Sequence, residues 1–287
     1  KSGGRSIADC VHLEDSRCSG VDHGRCQAFC NLFWKTDWLR KPGAPERASA
    51  APAVPRLDAA ALARTTRIET PQGPRYRCQA TQILEASRPL AWWEPWQYWR
   101  DVTSGNVSLL HAARILVLSW FAAWRRCGYP YRLSRWAYAW AHRLLIGGEP
   151  PYAPHGFPFP AKSPIGDIGL KVGERVRVKP HHEILATLNS GSRNRGLWFD
   201  AEMVPFCGGE HRITHRVGRI INERTGEMMP MKGSCLILDG VVCRSAYSAR
   251  RLFCPRAIPP YWREIWLERI EEADRAARAE QSDTMAK

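Results

Sequence analysis

The sequence predicts an α+β protein in three parts: a cysteine-rich N-terminal metal-binding segment, a helical hairpin and a small C-terminal β-barrel. Three observations predict it. Cys10, Cys18, Cys26 and Cys30 crowd into one short segment. Apolar residues then recur at three- and four-residue steps across 107–146, the period of an amphipathic helix. Beyond the Pro/Gly-rich stretch 149–169 the apolar period becomes two, which is that of strands.

The N-terminal segment, 1–41, carries its cysteines as C-x7-C-x7-C-x3-C, with His12 and His23 between them. Four thiols match the ligand count of a zinc or an iron–sulfur site. So polar a segment lacks apolar folding energy, and a structural zinc supplies about 10 kcal/mol or more. Gly20 and Gly24 allow turns between ligands. The paired C-x2-C knuckles of a zinc ribbon are missing, so the spacing leaves zinc and iron–sulfur equally open. Disulfides and plain reduced thiols are the competing readings. Cys78, in RYRCQAT, is the substitute for Cys10 as fourth ligand.

Residues 42–73 open on a Pro/Ala-rich run and read as a linker. The region 74–148 is rich in Trp and Arg. Within PLAWWEPWQYWRD, Pro89 and Pro95 predict short turns rather than a helix. A helix is expected over 107–126, capped by Ser104 or Asn106 and stopped by Gly128 and Pro130, with a second over 133–146. Trp136 and Trp140, one turn apart, are read as core. After the 149–169 linker, a barrel is expected over 170–270. Its strands are Glu174–Lys179, Arg212–Asn222, Glu227–Met231 and a hairpin of Cys235–Leu238 with Val241–Cys243 turning at Asp239-Gly240. Tyr261–Glu280 reads as a helix running into a charged tail, 271–287.

Lys and Arg number 42 against 28 Asp and Glu, a net charge of +14. Such a balance favours nucleic acid, anionic lipid or phosphorylated partners. An Arg-rich composition without function is the plain alternative, because the charge forms no block. Arg125, Arg126, Arg132 and Arg135 alternate with tyrosines and tryptophans, and Arg193 and Arg195 sit in the loop SGSRNRG; both fit a nucleic-acid contact. The apolar run Ile115–Trp124 is about half of what a bilayer span requires, so no integral membrane insertion is expected. No signal peptide is visible and the chain given begins with Lys1, which leaves a preceding leader open. Ten cysteines in a chain this long point to reduced thiols and a cytoplasmic setting.

Cys207, Cys235, Cys243 and Cys254 form a second, weaker set. A two-residue Asp-Gly turn would put Cys235 and Cys243 on opposite faces, so buried free thiols are the better reading. Cys127 follows two arginines, which would lower a thiol pKa, but as a helix-end residue it reads as functionless. His181, His182, Glu183, Glu210, His211 and His215 read as surface groups before they read as ligands. The sequence contains no G-x-S-x-G, Walker A, dinucleotide or H-E-x-x-H motif. The catalytic residues therefore stay unknown, and nucleotide-dependent catalysis is disfavoured.

The stretches DSRCSGVDHGRCQAFCNLFWKTDWL, SGNV and NRGLWFDAEMVPFCGG resemble an uncharacterised family of bacterial cysteine-rich proteins. That resemblance implies no reaction. VGERVRVK, VGRIINERTGE and YWREIWLERI are similar to SH3-like small barrels, including that of the nitrile hydratase beta subunit. This implies an SH3-like fold for the C-terminal part and no activity. The expectation from sequence is a metal-binding accessory or binding protein using zinc or an iron–sulfur cluster, with a protein or nucleic-acid partner. The alternatives are an iron–sulfur redox enzyme and a basic nucleic-acid-binding module.

Overall fold

The computed structural model describes residues 4–40, 58–248 and 252–270, except for the side chains at 59, 62 and 63. It is mixed α and β, 28% helical and 23% strand. The chain divides into two compact units that interleave in sequence: 1–108 with 219–230 and 248–258, and 109–218 with 231–247 and 259–287. The expected boundary at 149–169 lies within the second unit. The expected tail, 271–287, lies outside the described residues.

The first unit is built from short pieces. β1 (Arg5–Ser6) precedes β2 (Cys10–Val11), which pairs with β3 (Trp34–Lys35), and a 3-10 turn follows at Thr36–Trp38. The described part of the expected linker is ordered. There α1 (Ala59–Thr66) leads into the hairpin of β4 (Arg67–Thr70) and β5 (Gly73–Tyr76). After α2 (Ile83–Ala86), β6 (Arg88–Pro89) pairs back onto β1. The proline-broken turns expected near Pro95 are instead α3 (Pro95–Thr103), with Pro95 in its first turn. A proline is tolerated there because its missing N–H would have had no helical partner anyway.

In the second unit α4 (Leu109–Cys127) and α5 (Tyr131–Leu145) pack through Leu118, Ala122, Tyr138 and Ala141. Trp136 and Trp140 are not core residues. They are 64% and 52% exposed, because the buried face of α5 runs through Ser134, Ala137, Tyr138, Ala141 and His142. The sheet follows. β7 (Arg175–Val178) buries Val176 and Val178 on one face, as the alternation predicts. Next come α6 (His181–Leu185), the small pair β8 (Arg193–Asn194) and β9 (Leu197–Trp198), and a 3-10 turn at Ala201–Phe206. Long strands β10 (Glu210–Ile221) and β11 (Met228–Leu238) come next, and residues 219–230, with the turn around Thr225-Gly226 that joins them, count with the first unit.

Asp239-Gly240 does not make the expected hairpin. Val241–Cys243 is not a strand, and β11 pairs with β12 (Trp262–Arg263), Cys235 opposite Arg263 and Leu236 opposite Trp262. Burial decides this: Leu236 and Trp262 are fully buried in the sheet core. The helix expected from Tyr261 is also absent as far as Ile270. β12, a 3-10 turn at Glu264–Trp266 and β13 (Leu267–Arg269) occupy that stretch. The sheet order is β12-β11-β10-β7-β13. It is open, and among the described residues no closed barrel is found.

One buried carboxylate ties this sheet to the chain before it. Glu264, 1% exposed, accepts from the backbone N–H groups of Ile168 (2.9 Å) and Leu170 (3.2 Å) and from the Ser234 hydroxyl (2.6 Å). It pairs with Arg216 at 2.9 Å. Burial pushes its carboxyl pKa up, but hydrogen bonds with Asp167, Ser234 and Leu170, and then Arg216, override that and hold it below the ordinary value. A native pKa below the unfolded one stabilises the fold at pH values above the unfolded pKa. The contribution fades as pH falls through the acid range. Glu264→Gln is therefore expected to cost about 3 kcal/mol at neutral pH, since Arg216 loses its buried anion. Urea denaturation should show the gap to the unaltered protein narrowing as pH falls from about 5 to about 2.

Candidate metal centre

Residues 16–32 form a closed loop in the first unit. Cys18 N–H donates to Cys30 O (2.9 Å), Leu32 N–H to Ser16 O (2.9 Å), and Arg17 bridges Asn31. Inside the loop two turns follow one another, His23 N–H to Gly20 O (3.0 Å) and Cys26 N–H to His23 O (3.2 Å). Gly20 has φ +71°, and a Cβ there would lie 1.8 Å from the Cys26 carbonyl oxygen. Gly24 has φ +61°, and a Cβ there would lie 2.5 Å from the Tyr76 ring. Only glycine meets both conditions at each site.

Three distant segments converge on this loop. Gln27 exchanges hydrogen bonds with the backbone of Arg219, and Ile221 N–H donates to the Cys26 sulfur at 3.3 Å. Arg17 donates to Ala257 O at 3.2 Å. The Gln79 amide bonds both backbone groups of Phe33 at 2.9 Å, which holds the neighbouring Cys78 against the loop. Cys78 is itself fixed by the Thr81 hydroxyl, which bonds both its backbone groups at 3.0 Å.

Cys18, Cys26, Cys30 and Cys78 thus share one neighbourhood. Burial raises the Cys18 pKa first; the Gly20 backbone opposes it, and the thiols of Cys78 and Cys26 add to the rise. Burial pushes Cys30 to about 12, with Glu223, Cys26 and Cys78 adding and Arg256 opposing. The His23 Nδ1 lies 4.0 Å from the Cys18 sulfur. His12 is turned to packing: its Nδ1 bonds Leu32 O at 2.8 Å and its ring lies on Phe33. Burial lowers its pKa. Among the described residues no three His, Cys, Asp or Glu donors stand at ligating geometry, so the four thiols make a neighbourhood and not a closed coordination shell.

Cys10 lies elsewhere, on β2 opposite Lys35, and is not among the groups acting on Cys18 or Cys30. None of the ten cysteines, all of them among the described residues, is in a disulfide. In the second set, Cys207 is raised to about 12 by burial alone, against the sheet core. Cys235 is fully buried and accepts from Arg263 at 3.3 Å. Cys243 bonds Ser245 at 3.6 Å. Cys254 belongs to the first unit. Cys127 is exposed at the end of α4. His211 bonds Asp239 O at 3.1 Å, and Glu210 pairs with Arg175 and Arg177. Of the arginines read as nucleic-acid contacts, Arg126, Arg132, Arg193 and Arg195 are exposed. Arg125 lies over the Tyr152 ring at 3.8 Å, and Arg135 donates to Ala153 O.

Sequence reading missed Glu223 and Arg256, an ion pair at 2.8 Å whose two charges act on Cys30. They are remote in the chain and carry no local motif, so no sequence signal marks them. No family model, curated protein or solved structure matches the chain.

The glycine geometry is testable without any ligand. Gly20→Ala is expected to cost about 3 kcal/mol or more, because the clash falls on backbone. Gly240→Ala also has positive φ but meets nothing within 4 Å, so about 1 kcal/mol of local strain is expected. Denaturant titration of the two variants should rank them in that order.

Proposed function

We propose that this chain is a metal-binding accessory protein in which Cys18, Cys26, Cys30 and Cys78 supply four thiolates to zinc or an iron–sulfur cluster. The observation that carries the reading is the gathering of Cys78 with three cysteines of the loop, under hydrogen bonds that serve no apolar core. The N–H donated to the Cys26 sulfur supports it further, since such bonds stabilise metal thiolates and tune clusters. A cation would reverse the protonation preference at Cys18 and Cys30, because a coordinated thiol is deprotonated outright. Thiolate ligation requires reduced cysteines, which fits a cytoplasmic setting.

For the second unit we read an SH3-like topology. Its support is the strand order, in which β7 lies between β10 and β13, together with a single 3-10 turn carrying the chain from edge strand β12 to edge strand β13. The exposed Arg193 and Arg195 beside exposed Trp198 support an acidic partner, protein or nucleic acid, on that unit.

Elemental analysis and a visible spectrum of anaerobically purified protein test the metal reading. About one equivalent of zinc without colour, or iron and sulfide with a band near roughly 400 nm, is expected. Serine at position 18, 26, 30 or 78 should each lower metal content severalfold, whereas Cys10→Ser and Cys127→Ser should leave it unchanged. Less than about half an equivalent of any transition metal in the unaltered protein would end the proposal.

A further inference from the structure

Helix α4 is apolar on two sides. Its inner face buries Ala112, Ile115, Leu118 and Ala122. On the opposite side Leu109, Leu116, Val117 and Trp120 recur at helical spacing, between 37% and 68% exposed. α5 repeats the pattern, with Leu133, Trp136, Trp140 and Leu144 all about half exposed or more, and Tyr129 at the bend is 85% exposed. A soluble surface rarely leaves so many large apolar groups together without a partner.

The charges of the same hairpin say which partner. Residues 109–145 contain Arg114, Arg125, Arg126, Arg132, Arg135 and Arg143 and no Asp or Glu. None of the six takes part in a described ion pair. Two copies of such a surface repel each other, whereas an anionic surface with an apolar interior satisfies both features at once. Tryptophan suits such a boundary, with an apolar body and one N–H for the wet side, and arginine stems lie along apolar surface while their heads reach phosphate. No described helix is long and apolar enough to cross a membrane, so the contact is in the plane of the interface.

We infer that the α4–α5 hairpin docks on bilayers containing anionic lipid, with Trp120, Trp136 and Trp140 entering the headgroup boundary and the exposed Arg114, Arg126, Arg132 and Arg143 meeting lipid phosphates. This stands apart from the metal reading and rests on different residues.

The test is sedimentation of the full chain with sucrose-loaded vesicles, either phosphatidylcholine alone or mixed equally with phosphatidylglycerol. Binding to the mixed vesicles is expected to be at least about tenfold tighter. Brominated lipid should quench part of the tryptophan emission. Replacing Trp120, Trp136 and Trp140 together by Gln should weaken partitioning by about tenfold or more, with circular dichroism and melting unchanged because all three are exposed. Trp38→Gln, 66% exposed but outside the hairpin, should change nothing. Arg114→Gln, Arg126→Gln, Arg132→Gln and Arg143→Gln together should erase the preference for the anionic vesicles. Absence of vesicle binding by the folded protein overturns the inference, as does equal binding by the triple variant. A dimer that the triple variant abolishes would assign the surface to a second copy instead. Salt-sensitive binding of single-stranded RNA in place of vesicles, lost in the arginine variant, would assign it to nucleic acid.

Discussion

The first unit is short of apolar burial, and that constraint governs how it is held. Among its described residues the buried hydrophobic side chains are Ile83, Ile221, Leu252 and Phe253. The unit relies on long-range polar ties instead. Arg5 holds Ser87, Gln79 holds Phe33, and Asn106 bridges the Asp101 carboxylate and Phe253 O. Each such bond contributes about 1 kcal/mol net. A metal at the proposed thiol site would add a folding term of its own.

The surroundings of the four sulfurs are consistent with that role. Four thiolates around one divalent ion leave a net negative charge, which needs cations nearby. Arg256 opposes the rise that burial imposes on Cys30, and Arg17 threads between Phe29 O and Ala257 O within the same unit. Glu223 works against Cys30, but its carboxylate is paired with Arg256 at 2.8 Å. The second unit stands in contrast. Its core of Val176, Val178, Ile213, Leu236, Trp262 and Trp266 is fully buried or nearly so, and its buried carboxylates are hydrogen-bonded, Glu264 by Ile168, Leu170 and Ser234 and Glu202 by Ala246 and Tyr247. Cys207 and Cys235 sit in that apolar setting as small hydrophobes, their thiols raised by burial.

What could be read from the sequence was whatever depends on local pattern. The 3.6 period found α4 and α5 within a few residues, and the alternation of Val176 and Val178 found β7. The thiol density marked the loop, and Cys78 was singled out as a possible ligand. What escaped depends on partners far along the chain. Asp239-Gly240 looks like a hairpin turn, yet Leu236 gains more by pairing with Trp262. The stretch from Tyr261 has helical spacing, but Trp262, Trp266 and Leu267 are buried at the edges of a sheet, where a 3-10 turn lets both tryptophans point into one core. Pro95 breaks a helix only in its interior, and here it stands in the first turn. Glu223 and Arg256 reach Cys30 from positions that no spacing rule connects.

The tryptophans of the hairpin were misread for a related reason. A stripe of apolar residues shows that a helix has a face to cover, not what covers it. α4 and α5 approach each other through Ala122 and Ala141, with Ala112 and Ala137 also buried. Leu118 and Tyr138 fill the rest of that contact, and Trp136 and Trp140 lie off the face of α5 that carries Ser134, Ala137, Tyr138, Ala141 and His142. The sheet core is filled by its own rings, Phe199, Trp262 and Trp266, at 5.3–6.5 Å from one another. The hairpin's outward tryptophans are thus a consequence of a unit whose interior is closed without them, and the arginines beside them bias that outer surface toward negative partners.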